Sequence, residues 1–358
     1  MLTKDRAKAR FFYVDVIWGS SYANLFTNVT LASRLSPGNL PAMPNNSESK
    51  TILVTTDQDR AHIMRSSLFR QLERLMEVVF LPLQITTQAK YDLMSTGHRQ
   101  AIEYVAGQGY CVFFSPDTIV AEGSIPWLYE LAQSGRQIVA GCGPCVNQEA
   151  FLNEISLDPD VDRGRVLTLP PRKLVDLIVR NLHNVLAHQK VQSQYYPRQP
   201  NACLWDAPDG DGMLARVLNM HPYLFDTRLV TSTLDLFNVT LDWWMIPRSI
   251  RNPNSYYVIT DSDEFCVCGL LPKNSEDPLV TRKFDPTVLA LYLIETGCPY
   301  VNRNNLLYAL KFHTQDLDHS WVRLEQESQD AALAVIDPSR LLKSFIMEGR
   351  SKGTVLTR

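Results

Sequence analysis

The amino-acid sequence predicts an α/β fold whose N-terminal part is a Rossmann-like, mostly parallel sheet flanked by helices. In the first half, short apolar runs alternate with segments of helical periodicity, a pattern that favours βαβ units. A chain of 358 residues that is 45% hydrophobic is also long enough to bury a large core. We therefore expect residues 1–150 to form the parallel sheet, and residues 151–358 to form a mixed α+β elaboration continuous with it.

The first half contains five predicted strands with four predicted helices between them, in strict alternation. The predicted strands are Phe11–Trp18, Thr51–Thr56, Val78–Leu83, Tyr110–Phe114 and Gln137–Gly141. The predicted helices are Tyr22–Leu35, Asp59–Met76, Tyr91–Gly107 and Ser124–Ser134. The last helix begins at Ser124 and is followed by Gly135, residue types that favour a helix start and a helix stop.

The second half is predicted to begin with a long helix from Pro171 to about Gln192, after a loop rich in Asp. Short strands separated by turns follow, which favours mixed or antiparallel pairing. These predicted strands are Ala202–Trp205, Tyr223–Leu229, Tyr256–Thr260 and Cys266–Leu271. Three further helices are predicted at Pro286–Thr296, Arg303–Lys311 and Asp337–Gly349.

Composition argues against several classes of partner and location. The net charge is −3 and no run of like charges reaches five residues, so we expect neither nucleic-acid binding nor a polybasic membrane anchor. The N-terminus lacks the pattern of a signal peptide, and the apolar stretches are shorter than the roughly 18 residues of a membrane-spanning helix. Seven cysteines without framework spacing favour reduced thiols. We therefore expect a soluble cytoplasmic protein with no transmembrane segment.

Several well-known functional motifs are missing or out of context. The sequence lacks the glycine-rich dinucleotide fingerprint, the phosphate-binding P-loop and the Gly-x-Ser-x-Gly elbow, which removes the main support for dehydrogenase, P-loop and serine-hydrolase functions. Cys142-Gly-Pro-Cys145 has the spacing of a thioredoxin-type active site. It follows the fifth predicted strand instead of an early one, so a redox function is the less favoured interpretation.

The ends of the predicted strands are the first places to look for a ligand, because open α/β sheets bind ligands beyond the carboxyl ends of their strands. Four such segments stand out: Trp18–Tyr22, Thr55–Asp59, Ser115–Asp117 and Thr260–Glu264. A carboxylate at a strand end can bind a ribose hydroxyl, hold a divalent cation or act as a base. It can equally cap a helix or turn, which is the simpler interpretation of Asp57, Asp59 and Asp117.

Histidines in loop-like surroundings are the other candidates for acid–base chemistry or metal binding. Three of the seven lie in such segments: His221, His313 and His319. A lone histidine is more often structural than catalytic, so none of them is assigned a role by its position alone.

The order of these elements resembles the nucleotide-sugar-binding half of GT-A glycosyltransferases over residues 10 to about 150. The resemblance is carried by a strand ending near Asp57, a helix opening at Lys90 with His98 and Arg99, and a strand ending in Ser115-Pro-Asp117. In that family an early carboxylate meets the base or ribose, a basic helix faces the diphosphate, and an Asp-x-Asp motif holds Mn²⁺ or Mg²⁺. The resemblance implies a nucleotide-diphosphate sugar as the donor substrate.

The chain also resembles a group of bacterial glycosyltransferase-like proteins through four short motifs. These are Trp18–Tyr22, Ser36–Pro41, His221-Pro222 and Asp261–Glu264. The chain departs from the family's metal motif, because Ser115 replaces the first Asp and only Asp117 remains. Either His313 or His319 then completes a metal site with Asp117, or Lys90, His98 and Arg99 neutralise the leaving-group charge instead.

The leading hypothesis is a glycosyltransferase that moves a sugar from the nucleotide donor to an unknown glycan, lipid or protein acceptor. The resemblance implies that the nucleoside pocket is lined by Trp18, Gly19, Tyr22 and Asp57, with Asp117 near the diphosphate. The catalytic candidates are Asp261, Asp263 and Glu264, of which Asp263 or Glu264 acts as the base. Two alternatives stay open: a catalytically inactive nucleotide-binding or regulatory protein, and a phosphate-ester hydrolase that uses the Asp261–Glu264 cluster.

Overall fold

The structure is a computed structural model that describes residues 9–87, 89–230, 241, 252–275, 281–298 and 300–337. The strands in the described part of the chain are β1 (Phe11–Ile17), β2 (Lys50–Thr55), β3 (Glu77–Pro82), β4 (Tyr110–Phe113), β5 (Thr118–Val120), β6 (Ile138–Gly141), β7 (Cys145–Asn147), β8 (Ala202–Asp206), β9 (Gly212–Val217), β10 (His221–Asp226), β11 (Tyr256–Val258), β12 (Val267–Leu271) and β13 (Leu310–His313).

The α-helices of the same residues surround these strands. They are α1 (Ser20–Leu25), α2 (Leu31–Arg34), α3 (Asp57–Ile63), α4 (Ser67–Leu75), α5 (Lys90–Val105), α6 (Ser124–Gln133), α7 (Gln148–Glu154), α8 (Pro171–Arg180), α9 (Asn184–Ala187), α10 (Pro286–Glu295), α11 (Tyr300–Asn305) and α12 (His319–Ile336). A π-helical turn, Phe26–Thr30, joins α1 to α2. No helix within the described ranges is long and apolar enough to span a membrane.

The main sheet has seven strands in the order β11-β6-β10-β4-β1-β2-β3. Strands β4, β1, β2 and β3 run parallel to one another, and β11 is parallel to β6. Strand β10 is antiparallel to both of its neighbours, β4 and β6. The sheet is therefore mostly parallel, and it takes two strands, β10 and β11, from the second half of the chain.

Burial of the central strands explains why apolar runs mark them in the sequence. All seven residues of β1 are buried, as expected for a parallel strand covered on both faces. Helix α5 lies especially close to β1, because a Cβ atom on Gly97 would be 2.4 Å from a methyl carbon of Val16. This close approach brings the N-terminal half of α5 to the carboxyl end of β1.

Two smaller sheets complete the fold. One has the order β5-β12-β7 and packs beside the main sheet, and the other has the order β13-β9-β8 in the second half of the chain. Helices α10 and α12 pack with this third sheet around a separate apolar cluster that includes Leu214, Leu289 and Trp321. The mixed character predicted for the second half is present, with most pairs antiparallel.

Each of the five strands predicted for the first half has a counterpart in the main sheet, but several predicted helices were wrong. The predicted helix Asp59–Met76 is two helices, because the Ser66 side chain caps a new helix by accepting from the amides of Leu68 and Phe69. The predicted helix Arg303–Lys311 ends at Asn305, and Leu310 begins β13.

Further differences concern lengths and positions in the second half. The helix predicted from Pro171 to Gln192 ends at Arg180. The predicted helix Asp337–Gly349 lies outside the described residues except for Asp337. The 18-residue helix α12 was not predicted, and His221 lies at the start of β10 instead of in a loop.

Candidate functional site

A cavity lies where the order of the parallel strands reverses. Strand β1 has β2 on one side and β4 on the other, so successive strands diverge at the carboxyl ends of β1 and β4. Ligands of open α/β sheets bind at such switch points. The cavity has a volume of about 180 Å³ and is lined by Val16, Trp18, Tyr22, Lys90, Tyr91, Met94, His98, Phe114, Ser115, Pro116, Asp117, His221 and Leu241. We refer to it as the Asp117 pocket.

Two aromatic rings and a lysine form one wall of the Asp117 pocket. The ring centroids of Trp18 and Tyr22 are 6.2 Å apart. The Lys90 ammonium donates a hydrogen bond of 2.6 Å to the Tyr22 hydroxyl and lies 5.0 Å from the centre of that ring. Burial lowers the pKa of Lys90, but the Tyr22 hydrogen bond and the nearby Asp117 outweigh it and raise the pKa above its usual value. Lys90 is therefore a permanent positive charge at the pocket.

Asp117 is the carboxylate of the pocket. Burial raises its pKa to about 6, although the positive charges of Lys90 and Arg34 act in the opposite direction. A carboxyl group whose pKa is shifted upward in a cleft is a candidate for acid–base chemistry. At pH 7 the group is largely ionised, but it can accept a proton close to neutral pH.

The backbone around Asp117 is held from three directions. The carbonyl oxygen of Ser115 accepts a hydrogen bond of 3.2 Å from the guanidinium of Arg34, and that of Pro116 accepts one of 2.7 Å from the Thr30 hydroxyl. The carbonyl oxygen of Asp117 accepts a third hydrogen bond, of 2.8 Å, from the amide of Leu270 in β12. These hydrogen bonds therefore fix the backbone from which the Asp117 side chain extends.

A buried ion pair underlies this arrangement. Both guanidinium nitrogens of Arg34 contact the carboxylate of Asp15 in β1, at 2.6 and 2.8 Å, and the two residues are at most 2% exposed. This pair was not predicted from the sequence. An Asp within an otherwise apolar strand was a usable signal, since a buried charge needs a partner, but nothing in the sequence pointed to Arg34 as that partner.

Two histidines, His98 and His221, line the pocket. His98 is 5% exposed, and burial together with the nearby His221 lowers its pKa to about 3. A neutral His98 would contribute no positive charge toward a diphosphate at neutral pH. The Nε2 atom of His221 lies 3.0 Å from the carbonyl oxygen of Phe113.

Five of the eight residues predicted for the nucleotide pocket line the cavity together: Trp18, Tyr22, Lys90, His98 and Asp117. Gly19 lies just behind it, with a positive φ of 85°, and its amide donates to the Asp59 carboxylate at 2.9 Å. The other two do not line the cavity. Asp57 is exposed in the first turn of α3, and Arg99 lies 4.0 Å from Glu103 on the same helix.

Asp59 has a different role from the cap that the sequence suggested. The helix cap is Thr56, whose hydroxyl accepts from the Asp59 amide and donates to its carboxylate at 2.7 Å. The same carboxylate accepts the hydrogen bond from the Gly19 amide. Asp59 therefore joins the start of α3 to the turn after β1.

A second group of titratable side chains lies where the segment after β11 meets β13. The Nε2 atom of His313 is 2.9 Å from a carboxylate oxygen of Asp261, and its Nδ1 atom is 2.6 Å from the carbonyl oxygen of Gln315. One ligand atom each of Asp261, Asp263 and His313 lies within 4.8 Å of the others. We call these three residues the Asp261 cluster.

The His313 contact sets the charge state of the cluster. Its hydrogen bond lowers the pKa of Asp261, in spite of partial burial. Burial lowers the pKa of His313, but the Asp261 carboxylate and the Gln315 carbonyl outweigh it and raise the pKa. In contrast to Asp117, this carboxylate is stabilised in its ionised form.

The two carboxylates predicted as alternative bases have different partners. The Arg172 guanidinium at the start of α8 contacts both oxygens of Asp263, the shortest distance being 2.8 Å, and also Asp316 at 2.6 Å. The Tyr257 hydroxyl donates to Glu264 at 3.0 Å, and partial burial raises the pKa of Glu264. Asp261, Asp263 and Glu264 are not among the residues that line the Asp117 pocket.

The histidines predicted to complete a metal site with Asp117 lie in other surroundings. His313 belongs to the Asp261 cluster, and His319 is exposed at the first residue of α12. Within the described residues, the group of three side chains that can share a metal ion does not contain Asp117 or His319. The structure therefore does not bring Asp117 together with these histidines, and His313 lies instead with Asp261 and Asp263.

The thiols of the Cys-x-x-Cys segment are protonated near neutral pH. Burial raises the pKa of Cys142 to about 12 and that of Cys145 to about 11. Because the thiolate is the reactive species, such thiols are poor nucleophiles near neutral pH.

Comparisons with known proteins add little to this geometry. No protein-family model matches the chain, and the comparison with curated proteins found no relative. Among solved structures, one similarity is to TarS from S. aureus, with a TM-score of 0.33 and 10% sequence identity. The alignment covers 83% of this chain and 42% of the TarS chain, so this chain spans less than half of that protein. A similarity at this level carries no argument about function.

Proposed function

We propose that the chain is a glycosyltransferase that moves a sugar from a nucleotide-diphosphate donor to an acceptor. The observation that carries the proposal is the composition of the Asp117 pocket at the reversal of strand order. Aromatic rings, a lysine and a carboxylate with a raised pKa converge there from β1, α5 and the end of β4. An apolar cleft with a few converging polar groups and a perturbed pKa is the usual form of a binding site.

The size of the cavity indicates how much of a donor it accepts. Ligand sites for whole drug-sized molecules typically enclose about 300–1,000 Å³. The Asp117 pocket has about 180 Å³, and an apolar cavity of about 150 Å³ is known to hold one benzene ring. We propose that one ring of the donor enters the cavity beside Trp18 and Tyr22, and that the phosphates stay at the mouth.

Lys90 is the residue that we assign to the diphosphate. Its ammonium is positively charged and already placed by Tyr22, so little reorganisation is needed when a phosphate oxygen approaches. A fixed positive charge stabilises the negative charge that develops on a leaving diphosphate. Arg99 and His98 do not share this role, because Arg99 lies outside the cavity lining and His98 is neutral.

A divalent cation held by Asp117 does not fit the residues present. Ser115 and Pro116 supply no carboxylate, and a single carboxylate is a poor site for Mg²⁺ or Mn²⁺. We therefore derive no step through such a cation. Asp117 is better suited to accept the proton of an acceptor hydroxyl, because a pKa of about 6 is close to the working pH of a general base.

The C-terminal carboxylates are weaker candidates for the base. Asp263 is engaged by Arg172, which favours its charged form but occupies its oxygens. Glu264 is half-buried and has a raised pKa, so it is the better of the two if the acceptor binds on that side. Asp261 is paired with His313.

Calorimetry with uridine and guanosine diphosphates tests the binding half of the proposal. We expect Lys90→Met to weaken binding about 10- to 100-fold, since a hydrogen bond to a charged group contributes about 1.5–3 kcal/mol. Arg99→Met is the matched control, because it removes a positive charge of the same helix outside the cavity. If the unaltered protein binds no nucleoside diphosphate, the proposal fails.

Turnover separates the glycosyltransferase from an inactive binding protein. The presence of Ser115 and a single pocket carboxylate favours the inactive alternative. Donor hydrolysis is measured with sugar nucleotides for the unaltered protein and for Asp117→Asn. We expect slow donor hydrolysis that Asp117→Asn abolishes while nucleotide binding is retained. Binding without turnover over a broad panel of donors and acceptors would favour the binding protein.

A phosphate-ester hydrolase is the remaining alternative, and the Asp261 cluster is the feature that favours it. Such an enzyme would hydrolyse an aryl phosphate and would be indifferent to sugar nucleotides. In that case Asp261→Asn, and not Asp117→Asn, would abolish activity.

A further inference from the structure

We propose that the outer face of α10 is a self-association surface, which pairs with the same face of a second copy of this chain around a two-fold axis. Val288, Leu291 and Ile294 form this face, on the side of the helix opposite to the apolar cluster around Trp321. None of the three lines the Asp117 pocket, so this association does not depend on the proposed glycosyltransferase activity.

The composition of α10 is the first argument. A surface helix normally turns an apolar face to the core and a polar face to solvent, and a helix that is apolar all round is normally buried. The inner face of α10 packs in the cluster around Trp321, yet Val288, Leu291 and Ile294 on its outer face are 37%, 54% and 56% exposed. Glu295 is the one charged residue of this helix. An apolar face left open in this way indicates that another protein surface covers it.

The size of the exposed apolar area is the second argument. Three more large side chains follow α10 in the chain, Tyr300, Leu307 and Tyr308, and they are 67%, 40% and 40% exposed. Cys298 and Leu306 are buried in the same cluster as the inner face of α10, so this segment stays beside the helix. The six side chains expose roughly 600 Å², as much as the largest apolar patch of a typical monomer. Two such faces together reach roughly 1,200 Å², the lower limit of specific interfaces.

The distribution of charge is the third argument, and it favours a second copy over a different partner. Lys283 is exposed just before α10, and Glu295 is exposed at its last residue. Asp285 lies at the same end as Lys283, where it caps the helix by accepting from the Thr287 amide. In an antiparallel pair of helices the end of one lies beside the start of the other, so each Glu295 approaches the Lys283 of the second copy. The apolar face is therefore complementary to itself.

The two-fold axis gives Leu291 a special position. In an isologous interface both copies use the same surface, and a residue near the axis lies close to its own counterpart. Leu291 is the middle residue of the row that it forms with Val288 and Ile294, so it lies nearest to the axis. A surface that pairs with itself closes at two copies. We therefore expect a dimer and no longer polymer.

Sedimentation velocity of the full chain at up to about 100 µM tests this surface, because an interface near the lower size limit binds in the micromolar range. We expect a reversible increase from the monomer mass of 40.7 kDa to twice that mass. Leu291→Lys should weaken association at least about 100-fold, since truncation of a central residue already costs about tenfold or more and this residue is present twice. Ile85→Lys is the matched control, because Ile85 is 48% exposed in the segment after β3, and it should leave association unchanged.

A mixture of Leu291→Lys and Leu291→Glu covers the case in which a variant does not fold. Each variant alone should stay monomeric, because like charges meet near the axis. The mixture should form a dimer, because opposite charges then meet at the same place. A misfolded variant could not be rescued in this way.

Three results would overturn the proposal. A monomer at every concentration would leave the face to another occupant, such as residues 338–358, which lie outside the described residues. An unchanged dimer in Leu291→Lys would place the contact elsewhere on the molecule. A mixture that does not associate, or a polymer that keeps growing with concentration, would exclude the two-fold arrangement. None of these results bears on nucleotide binding, which tests the proposed function separately.

Discussion

The Asp117 pocket and the Asp261 cluster place the same type of side chain in opposite electrostatic environments. At Asp117 burial dominates, and the pKa rises to about 6 in spite of Lys90 and Arg34. At Asp261 the hydrogen bond from His313 dominates, and the pKa falls. A carboxyl group whose charged form is destabilised by burial is suited to proton transfer, whereas one whose charged form is stabilised by a hydrogen bond stays ionised at neutral pH. The two regions are therefore expected to respond to mutation and pH with opposite signs.

The largest expected effect comes from the buried ion pair beneath the pocket. Asp15→Asn leaves the Arg34 guanidinium buried without its negative partner, which typically costs about 3–5 kcal/mol of unfolding free energy. Urea denaturation at pH 7 measures this loss. The Asp261 cluster contains no pair this deeply buried, so no substitution there should cost as much.

A double variant is the control for this prediction. Asp15→Leu combined with Arg34→Met removes both charges at similar volume and should recover most of the stability. It should still weaken ligand binding, because the Ser115 carbonyl loses its hydrogen bond from Arg34. A cost below about 1 kcal/mol for Asp15→Asn would show that the pair does not support the pocket.

The next largest effect is an increase in stability when Asp117 loses its charge. A pKa raised from 3.8 to about 6 corresponds to about 3 kcal/mol, because each unit is worth 1.36 kcal/mol. Since the folded-state pKa is raised, the ionised group destabilises the folded protein at pH 7, and stability rises as the pH falls from 7 toward 4. Asp117→Asn should remove this dependence and be more stable than the unaltered protein at pH 7.

Urea denaturation at pH 7.5 and pH 4 measures that difference. Most of the difference should disappear at pH 4, and the two proteins should converge below about pH 3, where Asp117 is protonated in both the folded and unfolded states. If Asp117→Asn is instead destabilised at pH 7, the ionised Asp117 carboxylate stabilises the folded protein, as the Asp261 carboxylate does. The two regions would then not differ in the sign of their effect on stability.

Asp261→Asn should have a smaller effect of the opposite sign. The raised pKa of His313 contributes stability below about 6.5 that is lost as pH rises through its folded-state value. The lowered pKa of Asp261 contributes stability above about 3.8 that is lost as pH falls through its folded-state value. The pair therefore stabilises the protein most between these two values. Because Asp261 is about one-third exposed, we expect a loss of about 1 kcal/mol at pH 5.

The measurement compares the two proteins at pH 5 and pH 9 with a chelator present. The difference should be clear at pH 5 and small at pH 9. An equal difference at both values would mean that Asp261 acts through packing and not through the His313 ion pair.

The smallest effect is expected for Arg172→Gln. The guanidinium contacts Asp263 and Asp316, but it is 40% exposed and Asp316 is almost fully exposed, so solvent screens both contacts. We expect almost no change in melting temperature. A large decrease would show that Arg172 is structurally required where α8 begins beside the Asp261 cluster.

The strands and helices around the pocket could largely be predicted from the sequence, because local hydrophobic patterns indicate them. The apolar runs before Trp18 and Ser115 mark β1 and β4, and the helix starting near Lys90 is visible from its periodicity. Since the carboxyl ends of parallel strands share one edge, Trp18, Lys90 and Asp117 were expected to meet. The second cluster was less predictable, because it depends on β13, a strand that was not predicted and whose first two residues were assigned to the predicted helix Arg303–Lys311.

By itself, the sequence determined the alternation of strands and helices, the parallel core, and the presence of carboxylates at strand ends, because these depend on short-range periodicity and on chain direction. Only the tertiary structure decided the charge states and partners of those residues. Burial made His98 neutral and raised the pKa of Asp117, and strand pairing brought His313 to Asp261 across 52 residues of sequence. Desolvation and long-range contacts depend on which residues pack around a group in the folded protein. Local sequence patterns therefore do not predict its charge state or its partners.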